Sequence, residues 1–319
     1  MSASPSETPT TGAAGARDES FVSVMVALAA NTAIAVAKGI AAALTGSPAL
    51  LAETLHTLAD AGNEVFLYVA IRRSRRPADT SHPFGYGPER YYWALLAAIG
   101  MFVVGGAVSV WDGVHALLHP PELDAFWVGV AVLLVALVLD GISRTVAVRQ
   151  LRAQAARRHV SIRELLRESP DPTVVTVYFE DTIDVLGALL ALAALVLHRV
   201  TGSGVPDALA SIVIGGLLCY LASRLTRRNR QLLTNQSVPE RYVRMRDRFE
   251  REPAIDAVTR LEAVYLGPAA VLVAADVQMA DGLAGIDVTA ALARMRADVA
   301  RELPAITRLY LTPVPPAAD

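Results

Sequence analysis

Six apolar runs, each long enough to cross a bilayer, govern what this chain can fold into. They lie at about Phe21–Leu44, Pro48–Ile71, Tyr91–Leu118, Phe126–Val148, Val174–Val200 and Val205–Leu225. A membrane-spanning helix needs about 20 mainly apolar residues, and in lipid each backbone polar group must be satisfied within the helix. The runs therefore predict an α-helical membrane protein with six transmembrane helices. Gly46-Ser47-Pro48 separates the first two runs, and Pro120-Pro121 ends the third. Composition agrees, with 53% of the 319 residues hydrophobic and a mean hydropathy of +0.40.

Other bulk properties exclude whole classes. A net charge of −2 leaves no basic footprint for nucleic acid. The single cysteine, Cys219, permits neither an internal disulfide nor a Cys-rich metal site, and reads as a small buried hydrophobe. Residues 1–20 are rich in Ser, Thr, Pro, Ala and Gly, which predicts a disordered cytoplasmic tail. No basic region precedes the first apolar run, and Asp18-Glu19 stand where one would be, so no cleaved signal or transit peptide is expected.

Basic residues set the orientation. Arg72, Arg73, Arg75 and Arg76 follow the second run. Arg149, Arg152, Arg157, Arg158, Arg163 and Arg167 follow the fourth, and Arg224, Arg227, Arg228 and Arg230 the sixth. The opposite connections carry only Arg199, which places both termini in the cytoplasm. The Ala- and Arg-rich, Lys-poor composition suggests a bacterial cell membrane. The transporter-like part is expected over residues 21–226. Residues 227–319 read as a small cytoplasmic α+β domain, with a helix near Glu240–Arg251, strands at Ala257–Tyr265 and Ala270–Met279, a helix at Asp287–Glu302 and a strand at Ile306–Thr312.

Two polar stretches interrupt the apolar runs. Glu53, His56, Asp60 and Asn63 share a helical stripe in the second, and Glu180, Asp181 and Asp184 fall on one arc of the fifth. An ionisable side chain at membrane depth costs about 2.5–3.5 kcal/mol on insertion scales, so such groups are rarely kept without use. Counting residues from the segment ends puts both sets ~10–14 Å into a core ~30 Å thick. An imidazole facing carboxylates at shared depth suits a divalent transition-metal ion. Those ligands must lose protons to bind metal, which couples binding to proton exchange. The plainer reading is interhelical hydrogen bonding.

Several motifs resemble the cation diffusion facilitator family of divalent metal transporters. They are His56-x-x-x-Asp60 after Ser47-Pro48-Ala-Leu-Leu-Ala, the loop His82-Pro-Phe-Gly-Tyr-Gly-Pro-Glu-Arg90, and Asp207-Ala-Leu-Ala-Ser211. The resemblance covers about residues 21–312. It implies a six-helix transporter domain, a cytoplasmic ferredoxin-like domain, a homodimer, and export of zinc or a similar divalent ion against protons, with no permanent cofactor. The family usually has His-x-x-x-Asp in the fifth helix too. Aligning on Gly187 puts Asp181 at the Asp position and Val177 at the His position; the other register makes Glu180-x-x-x-Asp184 the counterpart. The Glu-Asp pair is similar to a subgroup related to a mitochondrial zinc transporter. The expected ligands are His56, Asp60 and Asp181, with Glu180 and Asp184 as candidates for the missing one. Fewer nitrogens make the site harder, which keeps Mn2+, Fe2+ and Co2+ beside Zn2+.

Secondary candidates are Asp79 with His82 in the loop, Asp112, His115 and His119 near the outer end of the third run, and Asp140 and Asp207 as cavity-lining or capping groups. Lys38 is expected to pair with a carboxylate or reach for the interface. Competing functions are an intramembrane metal-dependent hydrolase, for which no nucleophile motif is present, and a non-transporting heterodimer partner.

Overall fold

The computed structural model describes residues 12–157, 160–168, 172–235, 237, 245–268 and 270–315. Long helices dominate. Helix α1 spans Gly12–Thr45 and α2 spans Pro48–Ser74. The third apolar run forms one rod in three parts: α3 (Glu89–Gly100), a π-helical stretch (Met101–Ala107) and α4 (Val108–Leu118). After it come α5 (Phe126–Arg157), the short α6 (Ile162–Glu168), α7 (Pro172–Thr201) and α8 (Val205–Leu233). Several helices outrun their apolar segments, because the Arg-, Gln-, Ala- and Leu-rich continuations are good helix formers. The same holds at the start: residues 12–20, where composition predicts a tail, continue α1, while residues 1–11 lie outside the described residues.

Four rods among the described residues are long and apolar enough to cross a membrane: Glu89–Leu118, Phe126–Arg157, Tyr178–Thr201 and Val205–Leu233. Helix α1 adds a shorter apolar part, Asn31–Thr45. Helix α2 falls short on hydropathy through its own polar stripe, and that stripe is hidden: Glu53, His56, Asp60 and Asn63 are all buried.

The chain divides into two compact units. The first holds the chain up to Tyr68 together with Ile99–Arg144 and Glu180–Ala222. Its packing inverts the pattern of a water-soluble core. Small Ala41, Ala49, Ala188 and Ala208 are fully buried, while Val36, Ile40, Trp111, Trp127, Val138 and Val200 are exposed. Small residues at helix contacts let backbones approach where lipid gives no hydrophobic drive to pack. The π-helical stretch and α8 meet this way: a Cβ on Gly106 would lie 2.5 Å from Cys219 Sγ, and one on Gly215 would lie 2.8 Å from the Gly106 carbonyl oxygen. Cys219 is a free thiol lodged in that contact.

The second unit holds Val69–Ala98, Thr145–Phe179 and the described chain from Ser223 onward. The loop after α2 is tied by one carboxylate. Asp79 Oδ1 accepts from Ser81 Oγ at 2.7 Å and from the backbone N–H of Ser81 and His82 at 2.9 and 2.8 Å, and Oδ2 accepts from the Tyr86 hydroxyl at 2.7 Å. His82 stacks on Tyr86 with ring centroids 3.9 Å apart. The Ser81 hydroxyl, then Tyr86, then the His82 N–H hold Asp79 well below the usual carboxylate range. A depressed carboxyl stabilises above its unfolded value and ceases to as pH falls. Exchange of the Ser81 and His82 amides, measured against their intrinsic rates, should therefore be protected at neutral pH and lose that protection only as pH falls below about 4. Asp79→Ala should speed it at neutral pH, and unchanged protection would show that the knot is held otherwise.

The C-terminal segment forms the α-β-β-α-β order expected of a small α+β domain. Helix α9 (Met245–Phe249) precedes β1 (Ile255–Gly267) and β2 (Ala270–Met279), then α10 (Gly285–Glu302) and β3 (Ile306–Val314). The expected start of its first helix, residues 240–244, lies outside the described residues. β1 and β2 pair antiparallel and β2 and β3 parallel, in the order β1-β2-β3. Val271, Val273, Ala275 and Val277 alternate inward from β2 onto Met295 and Val299 of α10, the period-2 signal of a half-buried strand.

The loop docks on this sheet by bare backbone. A Cβ on Gly87 would fall 1.9 Å from the Leu266 carbonyl oxygen, which as a main-chain atom cannot swing aside. Gly87→Ala should thus cost about 1–3 kcal/mol, as overpacking does, read as a lowered Tm; an unchanged Tm would mean the turn yields freely.

Candidate metal centre

Helix α2 is anchored before it carries chemistry. Ser47 Oγ accepts from the Leu50 N–H at 3.1 Å as an N-cap, with Pro48 in the first turn, where a missing N–H is harmless. Asp207 Oδ1, at the head of α8, accepts from Ser47 Oγ at 2.8 Å and the Ala49 N–H at 3.3 Å. His198 Nδ1, from the end of α7, sits 3.5 Å from Asp207 Oδ2. One buried carboxylate thus joins three helix ends and fixes the axial position of α2. The sequence offered Asp207 as a cavity-lining or capping group; its partner His198 gave no signal beyond an imidazole near the end of an apolar run.

From that anchor the polar stripe of α2 meets α7 in three antiparallel rungs. In the first, Glu53 faces Gly187, where a Cβ would lie 2.1 Å from Glu53 Oε1, and its other oxygen pairs with Lys38 of α1. Lys38 Nζ is 3.0 Å from Glu53 Oε2 and donates to Thr57 Oγ1 at 2.9 Å. In the second rung, His56 Nε2 lies 3.4 Å from Asp60 Oδ2 and 3.4 Å from Asp184 Oδ1. In the third, Asn63 Nδ2 donates to Glu180 Oε1 at 2.6 Å.

The middle rung has the makings of a metal centre. His56, Asp60 and Asp184 each offer one ligand atom, and these atoms all lie within 4.8 Å of one another. Among the described residues they are the one group of His, Cys, Asp and Glu that converges in this way. Both ring nitrogens of His56 and Asp60 Oδ1 are buried without a hydrogen-bond partner among the described residues. Such atoms are costly to leave unmatched, and a cation would take one ring nitrogen of His56 and one carboxylate oxygen of Asp60. Gly105 of the π-helical stretch packs over the same turn of α2, where a Cβ added to it would lie only 3.9 Å from the His56 Cα; π-helical turns often mark functional sites.

The other expected ligands stand apart. Asp181, favoured by the Gly187 alignment, turns to α5, where Oδ1 accepts from Ser143 Oγ at 3.1 Å. Glu180 is buried one turn along α7 from Asp184, held by Asn63. Of the three acidic residues of α7, Asp184 is the one whose ligand atom lies with those of His56 and Asp60. His82 Nδ1 lies 3.9 Å from Asp79 Oδ1, but the loop's own donors occupy that carboxylate and the Ser81 hydroxyl meets the imidazole at 2.9 Å. Asp140 carries a buried, unmatched Oδ2 on α5.

Residues 24–234 match the cation efflux transmembrane domain. The chain belongs to the cation efflux, or cation diffusion facilitator, family. It is 33% identical over 245 residues to the human mitochondrial proton-coupled zinc antiporter SLC30A9, covering 76% of this chain and 43% of that one. It is 33% identical over 230 residues to metal tolerance protein C4 of Arabidopsis thaliana, covering 70% of this chain and 49% of that one. With the cation-efflux pump FieF of Pectobacterium carotovorum the figures are 31% over 227 residues and 68% of each chain. The chain thus spans less than half the length of the human and plant relatives. As a cation efflux family member it is a multi-pass membrane protein, and the named relatives are transporters rather than enzymes.

Proposed function

We propose that this chain is a secondary transporter that moves a divalent transition-metal cation, zinc first, out of the cytoplasm in exchange for protons. The observation that carries the reading is the convergence of His56, Asp60 and Asp184 between α2 and α7. A neutral imidazole and two carboxylates match the charge of a divalent ion and supply the mixed nitrogen and oxygen set that zinc accepts. The name of the human relative, a proton-coupled zinc antiporter, supports both halves of this reading. The harder donors keep manganese, iron(II) and cobalt as further cargo.

The mechanism follows from the same atoms. Metal arriving from the cytoplasm displaces protons from the donors; protonation from the far side then weakens all three contacts together and releases it. Glu180, one turn away, is placed to join as a fourth ligand by leaving Asn63. We assign residues 21–226 to transport and 227–319 to a cytoplasmic domain serving dimer contact in a homodimer of the cell membrane, with both termini cytoplasmic.

Purified protein in sealed liposomes, with an imposed pH gradient and zinc, manganese, cobalt and iron(II) in parallel, tests this. Zinc flux that follows the gradient and reverses with it is the expected result. Flux indifferent to the gradient would remove the antiport step, and no flux with any ion would remove the transporter reading.

A further inference from the structure

We propose a second divalent-metal site at the outer end of α4, formed by Asp112, His115 and His119. These residues line a cavity of about 350 Å³, whose facing wall is made of small residues of α1, Gly39 and Ala43 among them, and of Leu51 from α2. At ~30 Å³ per water that volume holds on the order of ten waters, enough for an ion that keeps part of its hydration shell.

The donor set is suited to the same cargo as the middle rung. His115 and His119 are four residues apart on one helical face, and Asp112 is three residues before His115, so all three project to one side. The two imidazoles lie with ring centroids 4.8 Å apart and 26° between their planes. They stack rather than converge, but both are exposed to the cavity, and rings in that setting turn on a ps–ns timescale. A helical i, i+4 histidine pair is a familiar way to present two nitrogens to one zinc ion. Trp111 stacks on His115 with ring centroids 5.7 Å apart and is itself exposed, as aromatic side chains at membrane interfaces commonly are.

The position gives the site a task. Leu51 on the cavity wall is five residues from His56 along α2, or ~7 Å of helix. An ion leaving the middle rung outward would meet this cavity next. Exposed, water-sharing ligands hold metal more weakly than the buried set, which suits release rather than capture. That role rests on the transport reading above; the binding itself does not.

The test is zinc chloride titration of the full chain in detergent by calorimetry, with zinc-edge X-ray absorption. The double variant His56→Ala/Asp184→Ala removes the middle rung. We expect it to retain one equivalent of zinc per chain with imidazole scattering, and to lose that equivalent when His115→Ala and His119→Ala are added. The variant His115→Ala/His119→Ala alone should lose one equivalent and keep the middle-rung equivalent, which shows that it is folded. No zinc retained by His56→Ala/Asp184→Ala, or retention unaffected by removing the outer histidines, overturns the second site. Flux that survives His56→Ala/Asp184→Ala would instead overturn the transport reading and leave this one standing.

Discussion

Asp184→Ala should abolish proton-driven metal flux, by at least ~100-fold, while Asp181→Ala should retain it within about tenfold. Removing a supporting group from a metal site already costs 10–100-fold, and Asp184 is one of three groups whose ligand atoms converge. Loss of its carboxylate leaves a site one charge short of balancing a divalent ion. Asp181 gives up only a 3.1 Å bond from Ser143. Asp60→Ala should match Asp184→Ala, and Glu180→Ala should fall between, as befits a carboxylate one turn away. Proteoliposome flux on the four variants, each checked for folding by gel filtration, decides the order. If Asp181→Ala were silent and Asp184→Ala fully active, the middle rung would not be the transport site.

Glu53→Ala should be the most destabilising single change in the helical unit, at about 3–5 kcal/mol. Lys38 is 1% exposed and Glu53 fully buried, so removing the carboxylate leaves a buried ammonium with Thr57 as its hydrogen-bond partner and only the carboxylates of Asp140 and Asp184, not hydrogen-bonded to it, to offset its charge. Breaking such a pair costs far more than the pair contributes relative to an apolar substitute. The double variant Lys38→Met/Glu53→Leu should therefore recover most of the lost stability. Thermal unfolding in detergent measures both. A double variant no better than Glu53→Ala would mean that the ion pair itself, rather than the orphaned charge, carries the stability. The flux of the stable double variant would further separate packing from any part the pair plays in transport.

The spans were legible because lipid imposes so simple a rule: an apolar run of sufficient length has to be a helix, and its ends are marked by proline, glycine and arginine. The stripe His56-x-x-x-Asp60 was legible for the same reason, since polar groups stand out against such a background. The small domain was legible through alternation in β2 and the amphipathic α10. What the linear pattern left open was rotation and axial register. Asp181 and Asp184 are three residues apart and both lie near the α2-facing arc of α7. Only the packing of α7, set by the close approach at Gly187 and the Asp207 anchor at the helix ends, turns Asp184 inward and Asp181 toward Ser143. The pairing of Lys38 with Glu53, and of Asn63 with Glu180, was likewise decided in three dimensions. The π-helical turn over His56 had no sequence signature at all. Sequence alone determined which groups enter the membrane, because hydrophobicity is a property of each residue; tertiary structure decided which of them meet, because that depends on angles of a few tens of degrees between packed helices.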